Sequence, residues 1–309
     1  MLRCELTDVN GKTHKMPQLL SLQVDVDEGV PADALYALFP YAPTAELCEI
    51  TLYDGDKPIF IGVIDEEEHI FGSRGTYLKI SARSPAAHLL DNEAMPCEYD
   101  HPSLSMMYER YVKPFGIGLG TDSDEVFFGE QRVTKGTSCW KALKTFCIAC
   151  YLTPPRISSV GVLYPKGLEH DETTVFGRDG MPYTQLREVK KRCEEISAVR
   201  VKASNSGTYS LAIENHAAKD RGVRRERYLN AVLTESPMKC ADAMIDNGDV
   251  KSYAVYLRCK GCLLGTEGNR AVISDPVLGD RDDLYISAVH YRMNGDGAYS
   301  NITLKRRTF

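Results

Sequence analysis

One short segment restricts the fold of this chain strongly, because apolar and polar side chains alternate along it. Leu78, Ile80 and Ala82 occupy every second position, and more polar residues stand between them. A period of two residues is typical of a β-strand with one buried face. Ser84-Pro85 follows, and a serine cap with proline at the first helical position predicts a short helix at 86–90. The segment offers no usable arrangement of catalytic groups, which indicates a scaffold.

The closing part of the chain repeats this kind of signal. Residues 284–293 and 300–307 read as two alternating strands, and Asn294-Gly295-Asp296-Gly297 lies between them. Such a turn sequence between alternating runs predicts a β-hairpin.

The first ninety residues read as a small β-domain. Strands are predicted at 22–26, on either side of the turn Asp54-Gly55-Asp56-Lys57-Pro58, and at 75–82. Between the first two we predict a short helix at 32–39, started by Pro31 and ended by Pro40. Short strands joined by tight turns, with one helix as a plug, favour a small barrel.

The middle of the chain has helical spacing instead. Helices are predicted at 103–112, ending before Pro114, and at 139–151, capped by Ser138 and stopped by Pro154-Pro155. Strands are expected at 156–164 and around 173–176. This pattern predicts a mixed α/β insertion.

The last third returns to strands. They are predicted at 198–204 and 208–215 around the hairpin sequence Asn205-Ser206-Gly207, and then at 228–233, 253–260 and 270–273. A helix is expected at 237–246, ending near Gly248. Gly75-Thr76-Tyr77 recurs here as Gly207-Thr208-Tyr209, each before a strand and an Ala-Ala pair, which weakly indicates an internal duplication.

Composition bounds the class of protein. The 309 residues allow two or three domains, 43% are hydrophobic, and no apolar run is long enough for a membrane span. The N-terminus carries charges where a secretory signal needs an apolar core, so we expect synthesis in the cytoplasm and ten cysteines that are thiols. A net charge of −6 argues against a general nucleic-acid-binding surface.

Each of two charged segments is compatible with a binding role and with an ordinary solvated surface. Arg221, Arg224, Arg225 and Arg227 fall within seven residues and have the charge to contact phosphate, although a solvated face or a subunit contact is the commoner role of such a run. The acidic run 65–68 is a candidate wall of a channel, but the more general expectation for acids after a strand is a solvated loop.

Four groups of residues have side chains or spacings that occur in chemical sites. Cys147-x-x-Cys150 and Cys259-x-x-Cys262 have the spacing of structural zinc ligands, yet the pairs are 108 residues apart and the first lies on an apolar helix face. Cys139 has no histidine placed as its base, and His290 lies within a predicted strand. The run 169–172 reads as a polar loop rather than a cation site, and the glycines at 116, 118 and 120 precede no clear helix. We therefore predict no catalytic, cofactor-binding or metal-binding residues.

Six segments together resemble the baseplate hub proteins of contractile-tailed phages, tailocins and prophage-like particles. They are VDEGVPADALYALFP at 26–40, IFIGVID at 59–65, the stretch 81–103, SCWKALKTFC at 138–147, RRERYLNAV at 224–232 and the closing hairpin 284–307. The resemblance rests on the order and spacing of these segments over nearly the whole chain, because none is a catalytic signature.

The resemblance implies an α+β, mainly β fold with two similar tube-like β-barrel domains, at 1–92 and 194–309, and a mixed α/β insertion at 93–193. It implies a homotrimer whose six barrels imitate six-fold symmetry, joining the tail tube protein to the three-fold spike protein around a central channel. The tape-measure protein and the baseplate wedge proteins are further expected partners, DNA would pass through transiently, and no membrane insertion is expected.

The expected location is a virion or tailocin particle assembled in the host bacterial cytoplasm, and the expected role is structural rather than enzymatic. An acidic channel wall would repel DNA phosphate and prevent it from adhering. The alternative is an enzyme, either a cytoplasmic thiol or zinc hydrolase or a cell-wall-degrading tail component.

Overall fold

The computed structural model describes residues 2–16, 18–73, 75–168, 170–202, 208–230 and 236–306. The chain forms two compact units, and it passes between them more than once. The first unit comprises residues 1–170, 258–268 and 287–302, and the second comprises residues 171–257, 269–286 and 303–309. No helix in the described ranges is both long and apolar enough to cross a membrane.

Strands dominate both units, and this confirms the predicted α+β, mainly β class. In chain order the strands are β1 (Leu2–Asp8), β2 (Thr13–Lys15), β3 (Ser21–Asp27), β4 (Ala34–Pro40), β5 (Leu47–Asp54), β6 (Lys57–Gly72), β7 (Gly75–Arg83), β8 (Cys97–Asp100), β9 (Gly118–Leu119), β10 (Glu130–Val133), β11 (Arg156–Ile157), β12 (Val162–Tyr164), β13 (Thr173–Gly177), β14 (Tyr183–Lys190), β15 (Ala198–Lys202), β16 (Leu211–Glu214), β17 (Glu226–Asn230), β18 (Tyr253–Lys260), β19 (Arg270–Asp275), β20 (Gly279–Asn294) and β21 (Gly297–Arg306).

Helices are fewer. They are α1 (Ala87–Asp91), α2 (Leu104–Tyr111), a 3₁₀ turn (Lys113–Phe115), α3 (Cys139–Tyr151), α4 (His216–Asp220) and α5 (Pro237–Ser252).

An antiparallel sheet organises the first unit. Its strand order is β20-β3-β4-β7-β6-β5-β1-β2, and the later half of β20 pairs with β3 so that Val289 faces Val26. Alternate residues of β3, β4 and β7 are buried and form one apolar core, as the period of two predicts. The predicted strands at 22–26 and 75–82, the turn after Asp54 and the closing hairpin are confirmed.

The helix predicted at 32–39 is wrong, because residues 34–40 form strand β4. Leu35, Ala37 and Phe39 are buried at every second position, and β4 pairs with β3 on one side and with β7 on the other. Pairing on both sides outweighs the local helix preference of alanine and leucine, since tertiary context commonly overrides intrinsic propensity.

A second core of the first unit lies among its helices. Met107 and Tyr111 of α2 pack with Leu143 and Phe146 of α3. Ser103 and Ser138 cap these helices by accepting hydrogen bonds from backbone amides three residues on, and the prediction of both helices is confirmed.

Ser84 does not cap α1, contrary to the sequence-based expectation. The helix begins after Ala86, which makes no side-chain cap, and the buried Ser84 hydroxyl instead accepts a hydrogen bond from the Asp33 amide at 3.0 Å. The serine is engaged by a loop 51 residues earlier in the chain, so the local motif does not form.

The second unit contains a three-stranded sheet of order β16-β15-β17, on which α5 packs through Ala241 and Ile245. Separately, β13 pairs in parallel with β19, which pairs antiparallel with the first half of β20. Strands β13, β18, β19 and β20 confirm predictions. The predicted hairpin turn at 205–207 and the ends of the strands predicted to reach residues 204 and 233 lie outside the described residues.

Helix α5 extends to Ser252, so the predicted end near Gly248 is wrong. Gly248 is buried within the helix, and a Cβ placed on it would lie 2.9 Å from the Glu194 carbonyl oxygen. Glycine is required here because the backbone at Glu194 approaches the helix closely, not because the helix ends in a left-handed conformation.

Candidate interaction surface

The cysteines of the two CxxC pairs lie in different surroundings. Cys147 packs in the helical core and Cys262 packs against the sheet core, so the two predicted pairs lie in different environments. Burial raises the pKa of the Cys147 thiol, and it raises the pKa of both Cys259 and Cys262 to about 11. These thiols are protonated at neutral pH and are poor nucleophiles and ligands. Within the described ranges no three His, Cys, Asp or Glu side chains are grouped to hold a metal ion.

The other groups considered for chemistry have structural surroundings. Cys139 is buried in the first turn of α3. Gly116 ends the 3₁₀ turn and Gly118 lies in β9, so no helix follows to form a phosphate site. Glu169 lies outside the described residues, and Glu172 accepts a hydrogen bond from Asn269 at 3.4 Å.

The arginine-rich segment is partly neutralised by acids of its own unit. Arg221 pairs with Glu195 at 3.0 Å, and Arg225 lies 3.6 Å from Glu194 and also donates to the Cys193 carbonyl. Arg224 is exposed. Two of the four arginines thus pair with acids of their own unit, which reduces the positive charge available to an external phosphate.

A buried ion pair ties the loop before β4 to the start of β11. Arg156 donates to the Asp33 carboxylate, and its other terminal nitrogen donates to the Val30 carbonyl at 2.7 Å. Ser159 donates to the second Asp33 oxygen at 2.8 Å. No local sequence pattern predicts this pair, because its members are 123 positions apart.

The acidic run lies in strand β6, and the expectation of a solvated loop is therefore wrong. Glu68 stands directly opposite Lys79 of β7 and pairs with it at 2.8 Å, while Asp65 pairs with Arg83 at 2.7 Å. Glu67 accepts a hydrogen bond from the Leu47 amide at 2.9 Å. Cross-strand pairing with β7 holds these acids in an extended conformation.

The hairpin of β6 and β7 projects beyond the strand that flanks it. Pairing of β6 with β5 ends at Val63, whereas pairing of β6 with β7 continues to Gly72. The side of β6 that faces away from β7 therefore has no ladder partner at 66–71 among the described strands, and the Leu47 amide bonds there to the side chain of Glu67. We call this segment the β6 edge.

An aromatic cluster lies at the far end of the β6 edge. The Tyr41 ring is 5.6 Å from the ring of His69 and 5.1 Å from the ring of Phe71, both in edge-on geometry. Phe71 is 65% exposed and Tyr41 is 36% exposed. Exposed aromatic side chains beside an open strand edge are a common composition of protein-binding surfaces.

Solved structures with this fold come from phage tails and a related secretion system. A tail protein from Neisseria meningitidis MC58 aligns with a TM-score of 0.76 and 14% identity, over 99% of this chain and 96% of that one. The 43 kDa tail protein of prophage MuSo2 from Shewanella oneidensis aligns with a TM-score of 0.76 and 13% identity, over 99% and 97% of the two chains.

A third structure extends the comparison. It is an E. coli component of the type VI secretion system, described as structurally similar to the T4 bacteriophage tail proteins gp27 and gp5. It aligns with a TM-score of 0.57 and 10% identity, over 94% of this chain and 74% of that one. No family model matches the chain, and no curated protein sequence matches it.

The alignments define the class of fold. This chain has the fold of phage tail proteins, shared with a component of the type VI secretion system, along nearly its full length. The α+β, mainly β class and the likeness to tail proteins that the sequence resemblance implied are confirmed.

Proposed function

We propose that this chain is a structural baseplate hub protein of a contractile phage tail, tailocin or related particle. Three copies form a ring of pseudo-six-fold symmetry that joins the six-fold tail tube to the three-fold spike and surrounds the central channel. Segments 1–92 and 194–309 supply the two tube-like domains of each copy, and segment 93–193 is the insertion between them.

The observation that carries this proposal is the full-length match of fold to tail proteins. The alignments cover 99% of this chain and at least 96% of each of the two tail proteins, so the shared fold extends over nearly all of each aligned chain. The protonated, buried cysteines add support for a role through surfaces rather than through catalysis.

Local structure gives a further argument for two like domains. Strand β7 is followed directly by the short helix α1, and strand β16 is followed directly by the short helix α4. The sequence segments that suggested a duplication fall at these two places. A ring that presents six similar surfaces from three chains requires such a repeat.

Electrostatics is consistent with a channel role. Each copy has a formal net charge of −6, so a ring of three copies is strongly acidic, and an acidic wall repels DNA phosphate during passage.

The test is electron microscopy of the assembled particle. We expect three copies of this chain on the tail axis, between the tube and the spike. A ring with six copies, or a position away from the axis, would contradict the proposal. Labelling the chain with a fused tag and locating the tag in class averages provides the control for the assignment of density.

A further inference from the structure

Strand β6 is paired with β7 on one side, but along the β6 edge its other side has no ladder partner among the described strands. Of the described strands, none pairs with β6 beyond Val63 on the side that faces away from β7. An open edge of this kind is a template for another extended segment, because its amide and carbonyl groups are already spaced for a ladder.

The side chains along the β6 edge specify the charge of such a segment. Glu66 and Glu68 point to one face of the strand, and Glu67 points to the other, by the alternation of a β-strand. Glu68 pairs with Lys79 at 2.8 Å and Glu67 lies 2.9 Å from His69, whereas Glu66 is exposed. The edge therefore keeps an excess of negative charge, which favours a segment that carries lysine or arginine.

The same charge disfavours pairing of this edge with its equivalent on a second copy, because like charges placed opposite each other across a ladder are destabilising. The arginine-rich segment of a second copy offers only part of its charge, since Arg221 and Arg225 pair with Glu195 and Glu194. Charge complementarity thus favours a different protein.

We propose that the β6 edge binds an extended, lysine- or arginine-bearing segment of a neighbouring protein as an added strand. The exposed cluster of Tyr41, His69 and Phe71 receives an apolar side chain at one end of that segment. This inference rests on the proposed function only in taking the neighbour to be another tail protein. The backbone ladder supplies affinity, and the acids and aromatic rings supply selectivity.

The probe for this site is a short fluorescent peptide in which lysine and valine alternate. Two comparison peptides isolate the two parts of the mechanism. In one, glutamate replaces every lysine; in the other, a central proline prevents strand pairing without changing the charge. Binding to the full chain is measured by fluorescence anisotropy at low and at physiological salt.

Two variants test the surface, each with a matched control. Phe71→Ser and Glu66→Lys are each expected to weaken binding of the lysine peptide about fivefold or more, through loss of aromatic contact and reversal of charge. Phe128→Ser removes an aromatic ring that is 69% exposed, and Glu130→Lys reverses an exposed acid on strand β10. Both controls are expected to bind like the unaltered chain. Circular dichroism checks that all four variants fold.

Binding of the lysine peptide alone, with loss only in the two edge variants, supports the inference. Equal binding of the proline peptide, or equal binding by Phe71→Ser and Glu66→Lys, overturns it. The inference is also overturned if the chain self-associates with rising concentration and these two variants abolish that association, because the segment bound at the β6 edge then belongs to a second copy. Failure of the ring position in microscopy overturns the proposed function and leaves the peptide result unaffected, so the two failures are distinguishable.

Discussion

Arg156 donates to the carboxylate of Asp33, although the side chains are only 5% and 0% exposed. Burial pushes the pKa of Asp33 upward, and the charge and hydrogen bond of Arg156 oppose that shift. A buried pair of this kind is costly to break from one side, because the remaining charge stays buried without a counter-ion.

Replacing Asp33 by alanine is therefore expected to lower the free energy of unfolding by about 3–5 kcal/mol. The double variant Asp33→Ala, Arg156→Met should be less destabilised than Asp33→Ala alone, since it removes the orphaned charge. Chemical denaturation of the single and double variants measures both quantities.

The matched control is an exposed pair. Glu109 and Lys113 are one helical turn apart, and both side chains are 56% exposed. Glu109→Ala is expected to change stability by only about 0.5 kcal/mol. If Asp33→Ala costs no more than Glu109→Ala, the buried pair does not hold the loop before β4 to β11.

Glu267 gives a pH-dependent prediction. Burial raises its pKa from 4.5 to about 7, and one carboxyl oxygen accepts a hydrogen bond from the Gly265 amide at 2.9 Å. The folded chain retains a proton that the unfolded chain releases, so stability falls as pH rises from 4.5 to 7. Glu267→Gln keeps the acceptor and removes the charge.

The Gln variant should be more stable than the unaltered chain at pH 8 by roughly 1–3 kcal/mol, and the difference should vanish near pH 4. Unfolding free energies across this pH range test the expectation. A difference that does not depend on pH would exclude a titrating Glu267.

A second pH dependence of stability is expected at strand β20, where its cause is an ion pair rather than burial. His290 lies opposite Asp25 of β3 and bonds to it at 2.8 Å, which raises the pKa of His290. Burial acts to raise the pKa of Asp25, but hydrogen bonds from His290 and Gln23 outweigh it and the pKa is lowered. The charged pair therefore forms at intermediate pH.

The stabilisation by His290 is complete below its ordinary pKa of 6.5 and is lost as pH rises through the raised value. His290→Gln should lose about 0.5 kcal/mol more at pH 6 than at pH 9, a modest effect because the pair is partly exposed. Thermal unfolding at the two pH values measures it. Asp25→Asn should remove the same dependence, and its persistence in that variant would assign it to another group.

Gly248 provides a steric prediction. In an exposed helix, glycine to alanine stabilises by about 1 kcal/mol. Here the new Cβ meets the Glu194 carbonyl oxygen at 2.9 Å, and Gly248→Ala is expected to destabilise by about 1 kcal/mol or more. Asn247→Ala, at the exposed neighbouring position of α5, should be neutral or slightly stabilising. Equal behaviour of the two variants in denaturation would show that the helix shifts freely away from Glu194.

Strands with a period of two, such as that containing Leu78, Ile80 and Ala82, were predictable because their pattern records one buried face. The serine caps of α2 and α3 were predictable for the same reason, since each involves residues only a few positions apart. Local physics thus accounts for much of the sheet of the first unit and for its two main helices.

Features that depend on distant residues were not predictable. Strand β4 reads locally as a helix and becomes a strand through its neighbours β3 and β7. Ser84 has the local pattern of a helix cap, but its hydroxyl accepts a hydrogen bond from the Asp33 amide. The β6 edge exists only because the pairing of β6 with β5 ends at Val63. Each outcome is decided by a partner remote in sequence, about which a local window carries no information.

The pairing of β20 with β3 has a consequence for biosynthesis. Asp25 leaves the ribosome long before His290, its partner 265 residues later. Until translation has passed residue 293, β3 lacks a neighbour on that side and the nascent polypeptide exposes an unfinished apolar sheet. The first unit thus completes its sheet only after synthesis of nearly the whole described chain, and until then the open side of β3 exposes apolar surface.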